Sequence, residues 1–346
     1  MQSFHSMIQT MRKFSLSHIC VVIPLYKARD RIADVLRGLP EFVRTIVVVD
    51  DCSPDDSYAC AQAVGDKRVH FVRHKQNQGV GGAVLSGYRK AIELGAEIIV
   101  KMDSDGQMDP ALIPDLVGPI LTGEADYTKG NRFYDLEKIH AMPPVRLFGN
   151  ALLSLMAKLS SGYWDLFDPT NGYTAIHVEV AKHLPFTKIS RRYFFETDML
   201  FRLNTLRAVV IDVPMDAKYG AEVSNLKISK IVVGFFFKHI LNFSKRIFYN
   251  YYLRDMSLAS IELPLGILSF IFGCGFGVYH WIDSLQKGVA TTSGRVMLAA
   301  LPILMGMQLI LAFLGYDIAN VPRRPWHKLR RILKNSPTYI GGSDEK

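Results

Sequence analysis

The sequence is poor in cysteine. Cys20, Cys52, Cys60 and Cys274 are the only four in 346 residues, and no two form a CxxC pair. That excludes a disulfide framework and a cysteine-based zinc site, and it points to a reducing compartment. The N-terminus also lacks a secretory h-region and cleavage site. Arg12 and Lys13 precede an apolar run, ICVVIPLY, that Pro24 interrupts, so the run reads as a strand rather than a signal peptide. Acidic residues are the minority charge, 32 against 41 basic, leaving a net charge of +9. Such a balance suggests an anionic partner: nucleic acid, a phosphorylated substrate or an acidic membrane surface. The basic residues gather beside apolar C-terminal segments, which argues against nucleic acid.

What the chain has in abundance is apolar length. Hydrophobic residues make up 49%, high for a soluble enzyme, and 346 residues leave room for one large domain plus an appendage, or for two domains. Two stretches absorb the excess: LPLGILSFIFGCGFGVYHWI, from Leu263 to Ile282, and VMLAALPILMGMQLILAFLGY, from Val296 to Tyr316. Neither carries a charge, and each matches the roughly 20 apolar residues that cross a bilayer. Lys245, Arg246 and Arg254 precede the first; Arg323, Arg324, Lys328, Arg330, Arg331 and Lys334 follow the second. The positive-inside rule then predicts a hairpin with both flanks in the cytoplasm. Between Ile228 and Asp255, Lys230, Lys238 and Lys245 share one helical side, while Phe235, Phe236, Ile240, Ile247 and Tyr251 supply apolar bulk. The pattern predicts one or two interfacial helices on an anionic membrane.

The first 215 residues alternate strand and helix signals. HICVVIPLY, TIVVVDD, RVHFVRH and EIIVKMD read as strands; Asp30–Leu39, Ser57–Val64 and Gly82–Leu94 read as helices. Continuous apolar strands alternating with helices predict a parallel sheet covered on both faces. Ligands on such sheets bind beyond the carboxyl ends of the strands. Two acidic clusters sit there, Asp50-Asp51 and Asp103/Asp105. Carboxylates held that close repel unless a cation completes them; an acidic surface turn is the bland alternative. Asp109 precedes Pro110 and is expected to cap the next helix.

VVIPLYKARDRI, IVVVDDCSPDDS, NQGVGGAVLSGYRKA and VKMDSDGQMDP, in that order, resemble glycosyltransferase family 2. The rest of the chain resembles its polyprenyl-phosphate branch, the dolichol-phosphate mannose synthases and bacterial undecaprenyl-phosphate sugar transferases. The resemblance spans residues 18 to 255. It implies an α/β fold: a GT-A-type nucleotide-sugar domain with a mostly parallel sheet, then amphipathic helices and a two-helix transmembrane hairpin. The corresponding divisions are an extension 1–17, a catalytic domain 18–227, juxtamembrane helices 228–255, two spans 256–320 and a basic cytoplasmic tail 321–346.

The resemblance also implies a site. Asp103 and Asp105 match the family's metal and diphosphate element, with a divalent cation, Mg2+ or Mn2+, as cofactor and Gln107 in support. Asp105, Asp168 and Glu196 are the implied catalytic residues, with Asp168 and Glu196 facing the sugar. Pro24, Tyr26 and Asp51 fall at the nucleotide-base pocket, Asp51 as a partner of the base and Asp50 as a structural neighbour. The family's usual Asn-Glu after this tyrosine is replaced by Lys27-Ala28-Arg29, so the donor stays open between UDP- and GDP-linked sugars. Arg132, Arg146, Lys218 and Ser224, with Lys227, match contacts to the acceptor phosphate. A phosphate monoester loses its second proton near pH 6, so Asp168 and Glu196 are expected to orient the sugar rather than abstract a proton. NQGVGGAVLSG admits either a phosphate approach or close packing.

The implied activity is transfer of one monosaccharide from a nucleotide sugar to polyprenyl phosphate at the cytoplasmic face of a membrane, a bacterial inner membrane by architecture. Processive synthases carry a Gln-x-x-Arg-Trp element, and none of the three tryptophans here follows an arginine. Two alternatives stay open: a family 2 enzyme acting on a lipid-linked saccharide or other glycan, and an inactive membrane scaffold. The sequence leaves open whether the chain forms a homo-oligomer.

Overall fold

The computed structural model describes residues 17–134, 144–215 and 228–334. They form two compact units, Met1–Asn242 with Pro322–Lys346, and Phe243–Val321. In the first unit the strands are β1 (Ile19–Leu25), β2 (Thr45–Asp50), β3 (Val69–Arg73), β4 (Ile98–Lys101), β5 (Tyr127–Asn131), β6 (Thr174–His177) and β7 (Val210–Pro214). Its helices are α1 (Ile32–Arg37), α2 (Ser57–Ala63), α3 (Val80–Glu93), α4 (Ile113–Thr122), α5 (Pro144–Ser161), α6 (Val178–His183) and α7 (Phe195–Thr205). The strands make one sheet in the order β3-β2-β1-β4-β6-β5-β7. Only β6 runs against its neighbours; the other pairings are parallel.

The first four strands and first three helices fall where the sequence predicts them. β1 and β2 are buried end to end, as expected of central strands with helices on both faces. The core gathers Ile19, Val21 and Ile23 of β1 with Ile32 and Leu36 of α1 and Ile113, Leu116 and Val117 of α4. β5 differs. Its sequence, YTKGN, is fully buried yet mostly polar, because its side chains meet polar partners rather than an apolar layer.

Four glycines of α3 and its approach set how closely neighbouring elements pack against the helix. A Cβ on Gly87 would run into Val22 and Val49, so its absence lets α3 lie on the sheet. Cβ atoms on Gly79 and Gly81 would lie 2.7 Å from the Arg191 carbonyl oxygen and 2.6 Å from that of Ser190. The Gly82 N–H donates to the Arg191 carbonyl at 3.0 Å. The glycine-rich turn therefore admits the backbone of residues 190–192, the segment leading into α7. Between the two expected uses of this stretch, the structure shows close packing.

Asp126, at the start of β5, ties down a distant element. The helix α8 runs Ile228–Phe248, and α11 runs Trp326–Lys334. The buried Asp126 carboxylate accepts from the backbone N–H of Trp326 at 2.7 Å and of His327 at 3.0 Å, and also meets His327 Nδ1 at 2.6 Å. It caps α11 in trans. His327 stacks on His177, ring centroids 4.2 Å apart. Burial would raise the Asp126 carboxyl, but these donors outweigh it and hold it below the usual carboxylate range. Burial, then the neighbouring His327, pushes the His177 imidazole down to about 4.

In the second unit, α9 (Ala259–Lys287) and α10 (Ser293–Ala319) are long and apolar enough to cross a membrane. They pack closely on one another through small residues: a Cβ on Gly273 would lie 2.7 Å from the Ala299 carbonyl oxygen, and one on Gly306 would lie 2.6 Å from the Phe270 nitrogen. Arg246 of α8 makes a two-pronged contact with Asp317 of α10, at 2.6 and 2.9 Å, and the Tyr251 hydroxyl donates to the same carboxylate at 2.5 Å. Of the apolar groups expected to face lipid, Phe236 and Ile240 are exposed, whereas Ile247 and Tyr251 are buried in this unit.

Candidate active site

β4 ends at Lys101, and the acidic pair follows on a turn rather than on the strand itself. Strand alternation is therefore not what aligns Asp103 with Asp105; the turn is, with Gly106 at φ +75° and the Gln107 N–H donating to Asp105 Oδ1 at 2.9 Å. Arg31 Nη1 donates to the Asp105 carbonyl at 3.1 Å from the α1 side. Asp109 accepts from the Ala111 N–H at 3.0 Å and so caps the helical turn after Pro110, as expected.

A cavity of about 230 Å³ opens beside this turn. Asp103, Asp105 and Gln107 line it together with Glu196, Arg132 and the 170–172 segment. Four of the expected site residues on three separate stretches thus meet in one place with Gln107. Met108 and Met215 add apolar walls. Asp50 and Asp51 are not among its lining residues, so the two acidic strand ends do not share this cavity.

Arg132 leaves the end of β5 and meets Asp168 through two parallel contacts, Nε to Oδ2 at 2.8 Å and Nη2 to Oδ1 at 3.1 Å. The geometry is the fork-on-fork pairing that fixes a guanidinium in one plane. Asp168 was expected to face the sugar. Its side chain is instead fully buried behind Arg132, which keeps 37% of its side-chain exposure. Asp168 therefore positions the arginine. Burial alone would raise the Asp168 carboxyl; the Arg132 bonds and charge, aided by Lys129, outweigh it and hold the group below its ordinary value.

Glu196 lies in the first turn of α7, half-buried on the cavity wall; its partial burial pushes its carboxyl up, opposed by the charges of Lys101 and Lys129. Lys101 Nζ stands 2.7 Å from Asp103 Oδ1 and 3.9 Å from Glu196 Oε1. Burial disfavours the Lys101 ammonium, but Asp103 and Glu196 outweigh that and raise it. Lys129 Nζ donates to the Asn171 carbonyl, and burial brings its ammonium down to about 8. Neither lysine stands out in the sequence reading. The available signal was a charged residue at the end of an otherwise apolar strand, just before the acidic turn.

Pro24 is buried within β1, and Tyr26 just beyond it is 45% exposed. Asp51 was expected to bond the nucleotide base. Its carboxylate is buried, accepts from the Gln78 and Gly79 N–H groups at 2.8 Å each, and meets His74 Nδ1 at 2.7 Å. These contacts tie β2 to the turn before α3. Asp50 is structural, fully buried on Arg73 Nε at 3.0 Å. Arg146 lies in the first turn of α5, with its side chain outside the described residues; Lys218, Ser224 and Lys227 lie outside them altogether.

Among the described residues no group of three or more His, Cys, Asp or Glu side chains is arranged to hold a metal ion. The two hard carboxylates on the cavity wall fit a divalent ion of the kind that keeps only one or two protein ligands and takes its remaining positions from substrate phosphates and water.

Comparison with known proteins agrees with this architecture. Residues 20–184 match the family model of glycosyl transferase family 2. An undecaprenyl-phosphate mannosyltransferase of Micrococcus luteus is 30% identical over 221 residues, covering 62% of this chain and 89% of that one. A UDP-N-acetylglucosamine–dolichyl-phosphate N-acetylglucosaminyltransferase of Methanococcus voltae is 29% identical over 232 residues, covering 63% of this chain and 92% of the relative. The glucosyl-3-phosphoglycerate synthase of Mycobacterium tuberculosis, crystallised with Mn2+, UDP-glucose and phosphoglyceric acid, superimposes with a TM-score of 0.51 at 21% identity, over 69% of this chain and 82% of that one. It shares the GT-A fold. With the family motifs in order along the sheet and relatives matched over most of their length, the chain belongs to glycosyl transferase family 2, in its polyprenyl-phosphate sugar transferase branch.

Proposed function

We propose that the chain is a membrane-anchored, inverting transferase that moves one monosaccharide from a nucleotide sugar to polyprenyl phosphate on the cytoplasmic face. One observation carries this reading: the cavity that gathers Asp103, Asp105 and Glu196 also presents a guanidinium, Arg132, locked by a buried carboxylate. Carboxylates suit a cation-bound diphosphate, and a fixed guanidinium suits the oxygens of a second phosphate. The names of the relatives, which couple sugar transfer to dolichyl or undecaprenyl phosphate, support the same acceptor class.

Asp103 and Asp105 would hold a divalent cation, which when bound would neutralise charge developing on the leaving diphosphate. Arg132, oriented by Asp168, holds the acceptor phosphate, with Arg146, Lys218 and Ser224 as further contacts. One acceptor oxygen forms the bond to the anomeric carbon as the bond from that carbon to the diphosphate oxygen breaks, with inversion. Glu196 orients sugar hydroxyls. No general base is required, because the phosphate monoester is already doubly ionised above about pH 6. The helices α9 and α10 anchor the chain as a multi-pass hairpin, with the basic flanks on the cytoplasmic side.

The test compares Arg132→Ala with wild type in donor affinity and transfer rate. A charge-assisted hydrogen bond contributes about 1.5–3 kcal/mol, so transfer should fall one to two orders of magnitude. Donor binding and slow hydrolysis of the nucleotide sugar by water should survive. Impaired donor binding with an unchanged acceptor KM would instead assign Arg132 to the diphosphate.

A further inference from the structure

Two lysines lie inside the sheet beneath the cavity. Lys101 ends β4 and Lys129 lies in β5, and the register across β6 sets both opposite Thr174, so the three residues form one row. Lys101 is 2% exposed and Lys129 is 1% exposed. Burying an ammonium is costly unless partners are built for it, so each lysine needs a reason to be there. Lys129 has one in the Asn171 carbonyl. The partners of Lys101 are two carboxylates from different elements: Asp103 on the turn after β4, at 2.7 Å, and Glu196 on α7, at 3.9 Å.

The room for this ammonium is set by a third stretch. A Cβ on Gly172 would run into Lys101 Nζ and lie 3.1 Å from Asp103 Oδ2. Any other residue at 172 would displace the lysine or the aspartate. The lysine is therefore enclosed behind three lining residues of the cavity, Asp103, Glu196 and Gly172.

An ammonium on one oxygen of Asp103 and a divalent ion on the same carboxylate repel each other. Glu196 offers the ammonium a second partner within ion-pairing distance. We propose that Lys101 is a positioning residue that holds Asp103 and Glu196 toward each other, opposes the divalent ion at Asp103, and turns toward Glu196 when that ion binds. This rests on Asp103 being a ligand of the ion, as proposed above. Its consequence is that the site binds the bare ion weakly, and that loading the ion changes the charge facing the sugar through Glu196.

The experiment titrates the detergent-solubilised full chain with Mn2+ alone, following free Mn2+ by electron paramagnetic resonance. Wild type is compared with Lys101→Met, Lys101→Gln and Asp103→Asn. Glutamine keeps a hydrogen-bond donor beside Asp103 without the charge, and so serves if methionine disrupts folding. Removing one opposing charge in a partly buried site should tighten Mn2+ binding about tenfold, while the transfer rate at saturating Mn2+ falls at least tenfold because Asp103 and Glu196 are no longer held. Tighter metal with slower transfer is a pairing that a merely structural lysine would not produce. Unchanged or weaker Mn2+ binding in both lysine variants, with binding lost in Asp103→Asn, would overturn the proposal while leaving the metal assignment standing. Wild-type Mn2+ affinity in Asp103→Asn would overturn the metal assignment and the proposal together.

Discussion

Replacing Asp168 with asparagine tests whether this residue orients Arg132 from behind. Asp168 is fully buried and gives both oxygens to the guanidinium, and the Arg132 backbone N–H adds a longer contact at 3.3 Å. Removing one partner of a buried ion pair costs about 3–5 kcal/mol, because the other charge stays behind. Arg132 is still 37% exposed, and asparagine keeps one acceptor oxygen, so about 2–3 kcal/mol is the expected loss. In a unit of this size that lowers Tm by roughly 5–10 °C. The pH dependence has a definite sign. A carboxyl held low in the folded state stabilises above its unfolded value, near 3.9, and that stabilisation disappears as pH falls through the lower folded value. The Tm gap between wild type and Asp168→Asn should therefore be full at pH 7 and should shrink below about pH 4. Thermal unfolding across that range, paired with acceptor and donor KM at pH 7, reads both consequences. The acceptor KM should rise and donor affinity should hold. A Tm equal to wild type at pH 7, or a gap that does not depend on pH, would refute the ion-pair argument.

Two further predictions follow from packing. Gly81→Ala places a Cβ 2.6 Å from the Ser190 carbonyl oxygen and 2.7 Å from the Phe195 ring, a strain of about 1–3 kcal/mol that shifts the approach to Glu196. Transfer should drop beyond what the fall in Tm explains, whereas Gly118→Ala, with open space around it, should leave both unchanged. Asp126→Asn weakens the trans cap on α11 by about 1 kcal/mol, so hydrogen exchange at Trp326 and His327 should accelerate while β1 and β2 stay protected; unchanged exchange there would mean that the cap holds nothing.

Of the four strands legible in the sequence, β1, β2 and β4 bury mostly β-branched side chains on both faces, while β3 is a half-buried edge strand carried by Val69, Phe71 and Val72. β5 to β7 were not legible, and β5 shows why: YTKGN has no apolar periodicity, since its buried groups serve the site rather than the core. The carboxylates of the cavity could be listed as candidates from motif order, and Asp103, Asp105 and Glu196 do meet there. What sequence could not supply is which groups face each other. The pairing of Arg132 with Asp168 joins residues 36 positions apart, and the cap from Asp126 reaches 200 positions along the chain. Glycine 79, 81 and 82 resembled a phosphate loop because the same absence of side chains serves any close backbone approach; the partner turned out to be residues 190–192. Lys101 is not legible from sequence because a lone lysine in a strand reads as an edge residue until its burial is known.

Product identity decides whether bare polyprenyl phosphate is the acceptor. The purified full chain is incubated with Mg2+ or Mn2+, a polyprenyl phosphate and a panel of UDP- and GDP-linked sugars, and the lipid fraction is read by mass spectrometry. The expected product is a polyprenyl phosphate heavier by one monosaccharide, formed with a single donor class and absent in Asp105→Asn. Sugar appearing only on an added lipid-linked saccharide, with the polyprenyl phosphate unmodified, would contradict it.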